Sequence, residues 1–516
     1  VKPIRQWETV KLFRNRKIKF IALFFLLTFA VSTSAQNEKT LAKFEQNIEV
    51  GKLSEIERDL FNYVIANPKN AVGFSLLAKL RLKQNRVNEA KSLANKALTL
   101  DPNLISAKLT LASAHFQARD IEQTRAVLDS ISDAEITENS PRLNLAQIYA
   151  NVGDCAKALI VTEKLPLKIK NSEALPLRAN CYLATNDQKS FVATITIAKT
   201  LAKQNSILAV KFAEVLSKAL KHKETADLLR LVVVSEPKNI NALLLLAKSE
   251  VYLKNFAKAK IHLTQAEKIQ PESPELFFVK AIFETEQGKP KDAVILLEKA
   301  LVSNPNNTEY LANLVISGIR ANENRKAFQA AEKLVNLEPN NADFLYLYGA
   351  ASLQNNNLPK AETALIKFLE IRPNDERGCI ALGLTFAAQP DKLDVARQQM
   401  QKCLTINPNN YEASYQLALS YKTNGETTKA IEYFETTVKL SPNYASALRD
   451  LGAVYLQTGA EAKARPMLEK AAIINPNDAD THYQLSRLYN VIGERELAKK
   501  HLDIFQKLRN PKKEGM

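Results

Sequence analysis

Eight prolines, Pro237, Pro271, Pro305, Pro339, Pro373, Pro408, Pro442 and Pro476, follow one another at intervals of 34 residues, once of 35, and Pro68 and Pro102 share the interval. A period of that length holds a pair of helices, and one pair cannot bury its apolar face alone, so the chain must stack copies of it. Residues 411–444 show the unit. Leu417, Ala418 and Tyr421 fall on one face of a first helix, Gly425 marks a turn, and Ala430, Phe434 and Val438 recur at helical spacing before Pro442.

Composition agrees with this reading. The chain has 46% hydrophobic and 24% charged residues, which excludes a disordered polymer, and only 7% aromatic residues, which disfavours a β-rich catalytic domain. Gly51, Asn85, Gly153, Gly288, Asn322, Asn356, Gly425, Gly459 and Gly493 share one phase of the repeat. These residue types accept the left-handed conformation that ends a helix, so the turn between paired helices is expected there. Small residues such as Ala418 with Ala430, Gly452 with Ala464 and Ala281 with Ala293 mark the closest approach of paired helices. Asn-Pro-Asn at 304–306, 407–409 and 475–477 stops a second helix and offers Asn to cap the next first helix.

The recurring anchors Leu451-Gly452, Tyr455, Ala464, Leu468 and Pro476, with Leu485-Ser486, Tyr489, Ala498 and Leu502 in the last unit, resemble the tetratricopeptide repeat. The same pattern is readable at Leu77-Ala78, Ala90 and Pro102, and at Tyr348-Gly349, Ala361, Leu365 and Pro373. The resemblance implies an all-α, right-handed superhelical solenoid of about 14 helix pairs filling residues 37–512. The segments are 36–136, regular; 137–236, divergent, where Pro141 and Pro176 are out of phase and Leu165-Pro166 interrupts a second helix; 237–512, regular; and a tail, 513–516. The divergent stretch is either drifted units that still stack or a hinge.

Residues 1–35 carry seven basic residues against Glu8, then the uncharged run Phe20 to Val31 and the small residues Ser32-Thr33-Ser34-Ala35. That is the pattern of a secretory signal cut after Ala35, with an anchor through residues 20–36 as the alternative. The body is expected to be exported, periplasmic or secreted, and membrane association is expected only if the segment stays uncleaved. Removing its charges from the 71 basic and 55 acidic residues of the chain lowers the net charge from +16 to +10. This mild excess suits an anionic polymer better than nucleic acid, for which no arginine-rich block is present.

Motifs for catalysis, phosphate binding or cofactor binding are absent from the sequence, and no metal or cofactor is expected. The five histidines read as surface residues; His482 and His501 share the last unit without an evident third ligand. Cys379 and Cys403 lie on the two helices of one unit, about one turn out of opposition, so they are either buried free thiols or a bridge. Cys155 and Cys181 cannot be paired from the sequence.

The resemblance further implies a non-enzymatic scaffold that holds a protein or peptide partner, or an acidic polysaccharide, along a concave groove lined by first helices. Counted by position in the unit, the groove residues include Tyr346, Arg377, Tyr415, Lys422, Arg449, Tyr483 and Arg487, with Gln354, Ile380 and Glu412 beside them. Tyrosine and arginine are the side chains that most often anchor interfaces, and Tyr415, Arg449 and Tyr483 are expected to lie outside the packed faces. The ninth residue of the first helix is not Asn in the regular units, as at Lys79, Ala350 and Arg487, which argues against a chaperone-tail clamp. The leading expectation is an adaptor in cell-envelope assembly or in export of polysaccharide or protein.

Overall fold

A computed structural model describes residues 37–132 and 136–509. The proposed signal or anchor, and the tail 513–516, lie outside the described residues. Among those described, every regular element is helical and no strand is present. The chain divides into two compact units, 1–255 and 256–516.

In the first unit α1 covers 37–49 and is followed by α2 (Leu53–Ala66), α3 (Ala71–Lys83), α4 (Val87–Leu100), α5 (Ile105–Gln117) and α6 (Ile121–Asp129). Then come α7 (Asn139–Asn151), α8 (Cys155–Glu163), the single turn α9 (Leu167–Lys170), α10 (Leu175–Ala184), α11 (Gln188–Leu201), α12 (Ser206–Lys218), α13 (His222–Ser235) and α14 (Ile240–Tyr252). The divergent segment therefore keeps its helices and shortens only α8 and α10, to 9 and 10 residues. Pro166, which lacks an N–H, stands between α8 and α9 where a regular unit would continue its second helix.

The second unit begins with α15 (Phe256–Ile269) and continues as antiparallel pairs: α16 (Pro274–Glu286) with α17 (Pro290–Ser303), α18 (Thr308–Arg320) with α19 (Asn324–Leu337), and α20 (Ala342–Gln354) with α21 (Leu358–Ile371). Next are α22 (Glu376–Ala387) with α23 (Leu393–Ile406), α24 (Tyr411–Thr423) with α25 (Thr427–Leu440), α26 (Ala445–Gln457) with α27 (Glu461–Ile474), and α28 (Ala479–Val491) with α29 (Arg495–Arg509). At two of the Asn-Pro-Asn sites the next first helix is capped by a side chain, one residue later than the reading suggests: Asn307 and Asn410 accept from backbone N–H groups of α18 and α24, whereas at the third site Asp478 makes no such bond to α28. The 35-residue interval is taken up by a 3₁₀ turn, Pro390–Lys392, ahead of α23.

All nine Gly and Asn residues at the turn phase have φ between +57° and +84°. Arg119, Asn186, Leu220 and Lys254 adopt the same conformation in the intervening units. The sequence conceals the turns at Arg119, Leu220 and Lys254 because those residue types do not prefer that conformation and packing of the flanking helices imposes it, whereas Asn186 is of the accepting type.

The core is a ladder of alternating small and large side chains. Ala418, Ala430 and Phe434 are fully buried, as are Ala464 and Leu468. A Cβ on Gly349 would stand 2.5 Å from the Leu365 side chain, and one on Gly452 would stand 2.6 Å from Leu468, so the repeat places its smallest residues where paired helices leave no room. Cys379 and Cys403 form a disulfide across α22 and α23 with Cα atoms 5.7 Å apart, which settles the alternatives against free thiols. That Cα spacing is the ordinary one for a disulfide, so the two residues face each other directly and the offset of about one turn expected from residue counting is absent. Cys155 and Cys181 are buried free thiols in one apolar cluster of the first unit.

Candidate functional site

Successive first helices of the second unit present one face to a shared groove. Part of it is a cavity of about 490 Å³ between α18, α20, α22 and the start of α24. Stacking dictates this: Leu314, Leu345 and Cys379 turn into the core, and the residues a helical turn or so away emerge on the opposite side. Ile316, Leu347, Leu353, Ile380 and Leu384 make an apolar floor. Tyr346, Arg320, Arg377, Glu376 and Glu412 surround it.

Of the residues expected from sequence, Tyr346 and Arg377 line this cavity together. The Arg377 guanidinium lies over the Tyr346 ring, 5.0 Å from its centroid, and the ring rests on buried Phe368 at 5.6 Å. Burial pushes the Tyr346 phenol above its ordinary range, with Arg377 opposing the shift. Arg377 donates to both Asp375 oxygens, at 3.0 and 2.7 Å, and that contact holds the Asp375 carboxyl below its usual range. Arg320 donates to Glu286 at 3.2 Å. The two arginines are thus already answered by carboxylates.

Tyr415, Lys422 and Arg449 converge on one residue that sequence reading missed, Asp450. The Tyr415 hydroxyl donates to Asp450 Oδ2 at 2.8 Å, Lys422 Nζ to Oδ1 at 3.3 Å, and Arg449 to Oδ2 at 3.1 Å. Arg449 also donates to Asp478 at 3.2 Å. Burial alone would lower the Arg449 pKa, but Asp450 and Asp478 outweigh it and raise it. The expectation that Tyr415 lies outside the packed faces is corrected: it is 7% exposed and packs on Phe434 and Tyr444. Its ring is large enough to reach the next repeat, so a position that would open to the groove with a smaller side chain joins the core here. The one signal for Asp450 is an acid inside the apolar stretch Ala447-Leu448-Arg449-Asp450-Leu451.

Tyr483 and Arg487 stand apart on α28. Tyr483 is 42% exposed and packs on Phe505 of α29, while Arg487 lies 6.0 Å over the Tyr483 ring and donates to Gln484. The reading of surface histidines fails for His482, which is buried, donates or accepts at 2.8 Å with His501 Nδ1, and reaches the Pro476 carbonyl at 2.9 Å. Among the described residues no cluster of three or more His, Cys, Asp or Glu side chains has metal-binding geometry.

A family model described as tetratricopeptide repeat matches residues 244–308, 319–376 and 415–479, and a second model of the same description matches 74–104. The chain is a tetratricopeptide repeat protein. In tetratricopeptide terms the cavity is lined by the first helices of successive repeats, and the disulfide joins the two helices of one repeat. Three solved structures resemble parts of the chain. The APC/C hetero-tetramer Cut9–Hcn1 is 15% identical, with 86% of this chain and 95% of that chain covered and a TM-score of 0.43. A tetratricopeptide repeat protein from Parabacteroides merdae is 19% identical, with 52% and 98% covered and a TM-score of 0.42. The MamA protein is 23% identical, with 34% and 96% covered and a TM-score of 0.30. No curated protein matches the chain.

Proposed function

We propose that this tetratricopeptide repeat protein is an exported scaffold that holds a protein partner in the groove of its second unit, working in cell-envelope assembly or in the export of polysaccharide or protein. The repeats themselves support protein–protein interaction, and the fold is typically a non-catalytic scaffold. The observation that carries the reading is the floored groove, with Ile316, Leu353 and Leu384 at its base and a polar rim, which is the anatomy of a protein interface. Export is supported by the basic and then apolar run of residues 1–35, and by the Cys379–Cys403 disulfide, a bond characteristic of oxidising compartments. Envelope work is an analogy with exported repeat arrays.

Direct binding of an anionic envelope polymer draws on the net charge of +10 left once residues 1–35 are removed, but Arg320, Arg377, Lys422 and Arg449 are each engaged by carboxylates in the groove. A photo-crosslinking amino acid at exposed Gln354 tests the site in cells. Capture of a defined protein from Gln354, and none from Lys439 on a second helix, is expected; capture from Lys439 alone refutes the groove. Export is checked on the same material. Its only tryptophan is Trp7, so processed protein in the exported fraction lacks tryptophan emission, while a retained N-terminus with emission identifies an anchor.

A further inference from the structure

We propose that the groove between α18 and α24 selects a cationic, apolar peptide segment, one that seats aliphatic side chains on the floor and places a lysine or arginine against Glu412. This rests on the reading of the groove as the partner site and specifies the chemistry of the partner.

The cavity holds uncompensated charge. Four ionised side chains line the cavity: Arg320, Arg377, Glu376 and Glu412. Both arginines have a carboxylate from outside the lining, Glu286 for Arg320 and Asp375 for Arg377, and the second pair is bidentate. Among the described residues neither glutamate is paired with a cation. Glu376 accepts from the side-chain amides of Asn407 and Asn410 at 2.9 and 2.8 Å, which satisfies its oxygen without neutralising it. Glu412 is exposed on the first turn of α24 and, among the described residues, has no hydrogen-bond or ion-pair partner. Counted with the carboxylates that answer its arginines, the site carries two negative charges in excess, although the chain as a whole carries a net positive charge.

An acidic ligand would have to displace Asp375 from a two-point contact with Arg377, or Glu286 from Arg320, exchanging one carboxylate for another with little gain. A cation meets Glu412 with nothing to displace. The floor adds the second requirement. Ile316 is 38% exposed, and Leu347, Leu353 and Leu384 are partly so, leaving apolar surface that water covers in the free protein and aliphatic side chains cover in the complex. A purely polar cation would leave that surface wet. Charge therefore sets the sign of the partner, and the floor supplies the affinity.

The test uses the full chain and three labelled twelve-residue peptides, alternating leucine with lysine, leucine with glutamate, and serine with lysine, followed by fluorescence anisotropy at physiological salt. The leucine–lysine peptide is expected to bind about tenfold or more tightly than either of the others. Glu412→Lys is expected to weaken it about tenfold and Ile316→Ser severalfold, with helical content unchanged because both side chains are exposed. Should Glu412→Lys lose helix, Glu412→Gln supplies the same comparison without a reversed charge. Equal or tighter binding of the leucine–glutamate peptide overturns the proposal, as does equal binding of the serine–lysine peptide or indifference of the leucine–lysine peptide to both substitutions. These outcomes are separable from the scaffold reading: a protein captured through Gln354 whose bound segment is acidic keeps the groove and refutes only its cationic preference.

Discussion

Replacing Tyr415 by alanine measures whether the polar centre of the second unit is structural or a free binding surface. Tyr415 is buried, with its ring 5.0 Å from Tyr444 and 5.9 Å from Phe434, and its hydroxyl 2.8 Å from Asp450. Removing a buried aromatic ring costs about 3–5 kcal/mol. Loss of a hydrogen bond to a charged group costs about 1.5–3 kcal/mol, and Lys422 and Arg449 remain to hold Asp450, which favours the lower figure. The expected sum is about 5 kcal/mol for Tyr415→Ala and about 1.5 kcal/mol for Tyr415→Phe, which keeps the ring. A repeat array does not have to unfold in one step, so the assay is hydrogen exchange of the full chain read at the amides of α24, α25 and α26, with thermal unfolding by circular dichroism beside it. Exchange should accelerate strongly in those helices with alanine and modestly with phenylalanine. If Tyr415→Ala leaves exchange and melting within about 0.5 kcal/mol of the parent, the ring is not part of the core and the structural assignment of this network fails.

Three further outcomes are expected. Thiol titration of unreduced, denatured protein should find two reactive cysteines per chain, Cys155 and Cys181, rising to four after reduction; four before reduction would mean that Cys379 and Cys403 are unbridged. Burial, with His482 and Lys500 adding to it and Glu469 opposing, lowers the His501 pKa, so the unfolded chain takes up that proton first. Stability from this group is present above the ordinary imidazole value of about 6.5 and is lost as the pH falls through it, and the acid-induced drop in melting temperature should shrink in His501→Phe. His222, also lowered by burial, contributes in both proteins, so an identical pH slope in the two would refute the role of His501. Gly452→Val should destabilise the array by about 1–3 kcal/mol in urea unfolding, because its Cβ would lie 2.6 Å from the Leu468 side chain; unchanged stability would show that α26 and α27 are not in close contact there.

What the sequence determined by itself was the periodic part of the protein. Proline spacing, the Gly and Asn turn phase and the small residues at 349 and 452 are local requirements of a helix pair, so they are visible one unit at a time. The turns at Arg119, Leu220 and Lys254 were not visible, because there the conformation is imposed by packing and not preferred by the residue. The candidate site divides the same way. Position in the unit placed Tyr346 and Arg377 at the groove, but it treated Tyr415 and Arg449 as equivalent free side chains. Only the tertiary structure brought Asp450 and Asp478 from neighbouring repeats against them, and only it showed that the arginines of the groove are answered while Glu412 is not. Helix register follows from side-chain periodicity along one segment; Arg377 meets Asp375 two residues away, but Arg320 with Glu286, Tyr415 with Asp450 and Arg449 with Asp478 join side chains 34, 35 and 29 residues apart across stacked repeats, and no local pattern encodes those meetings.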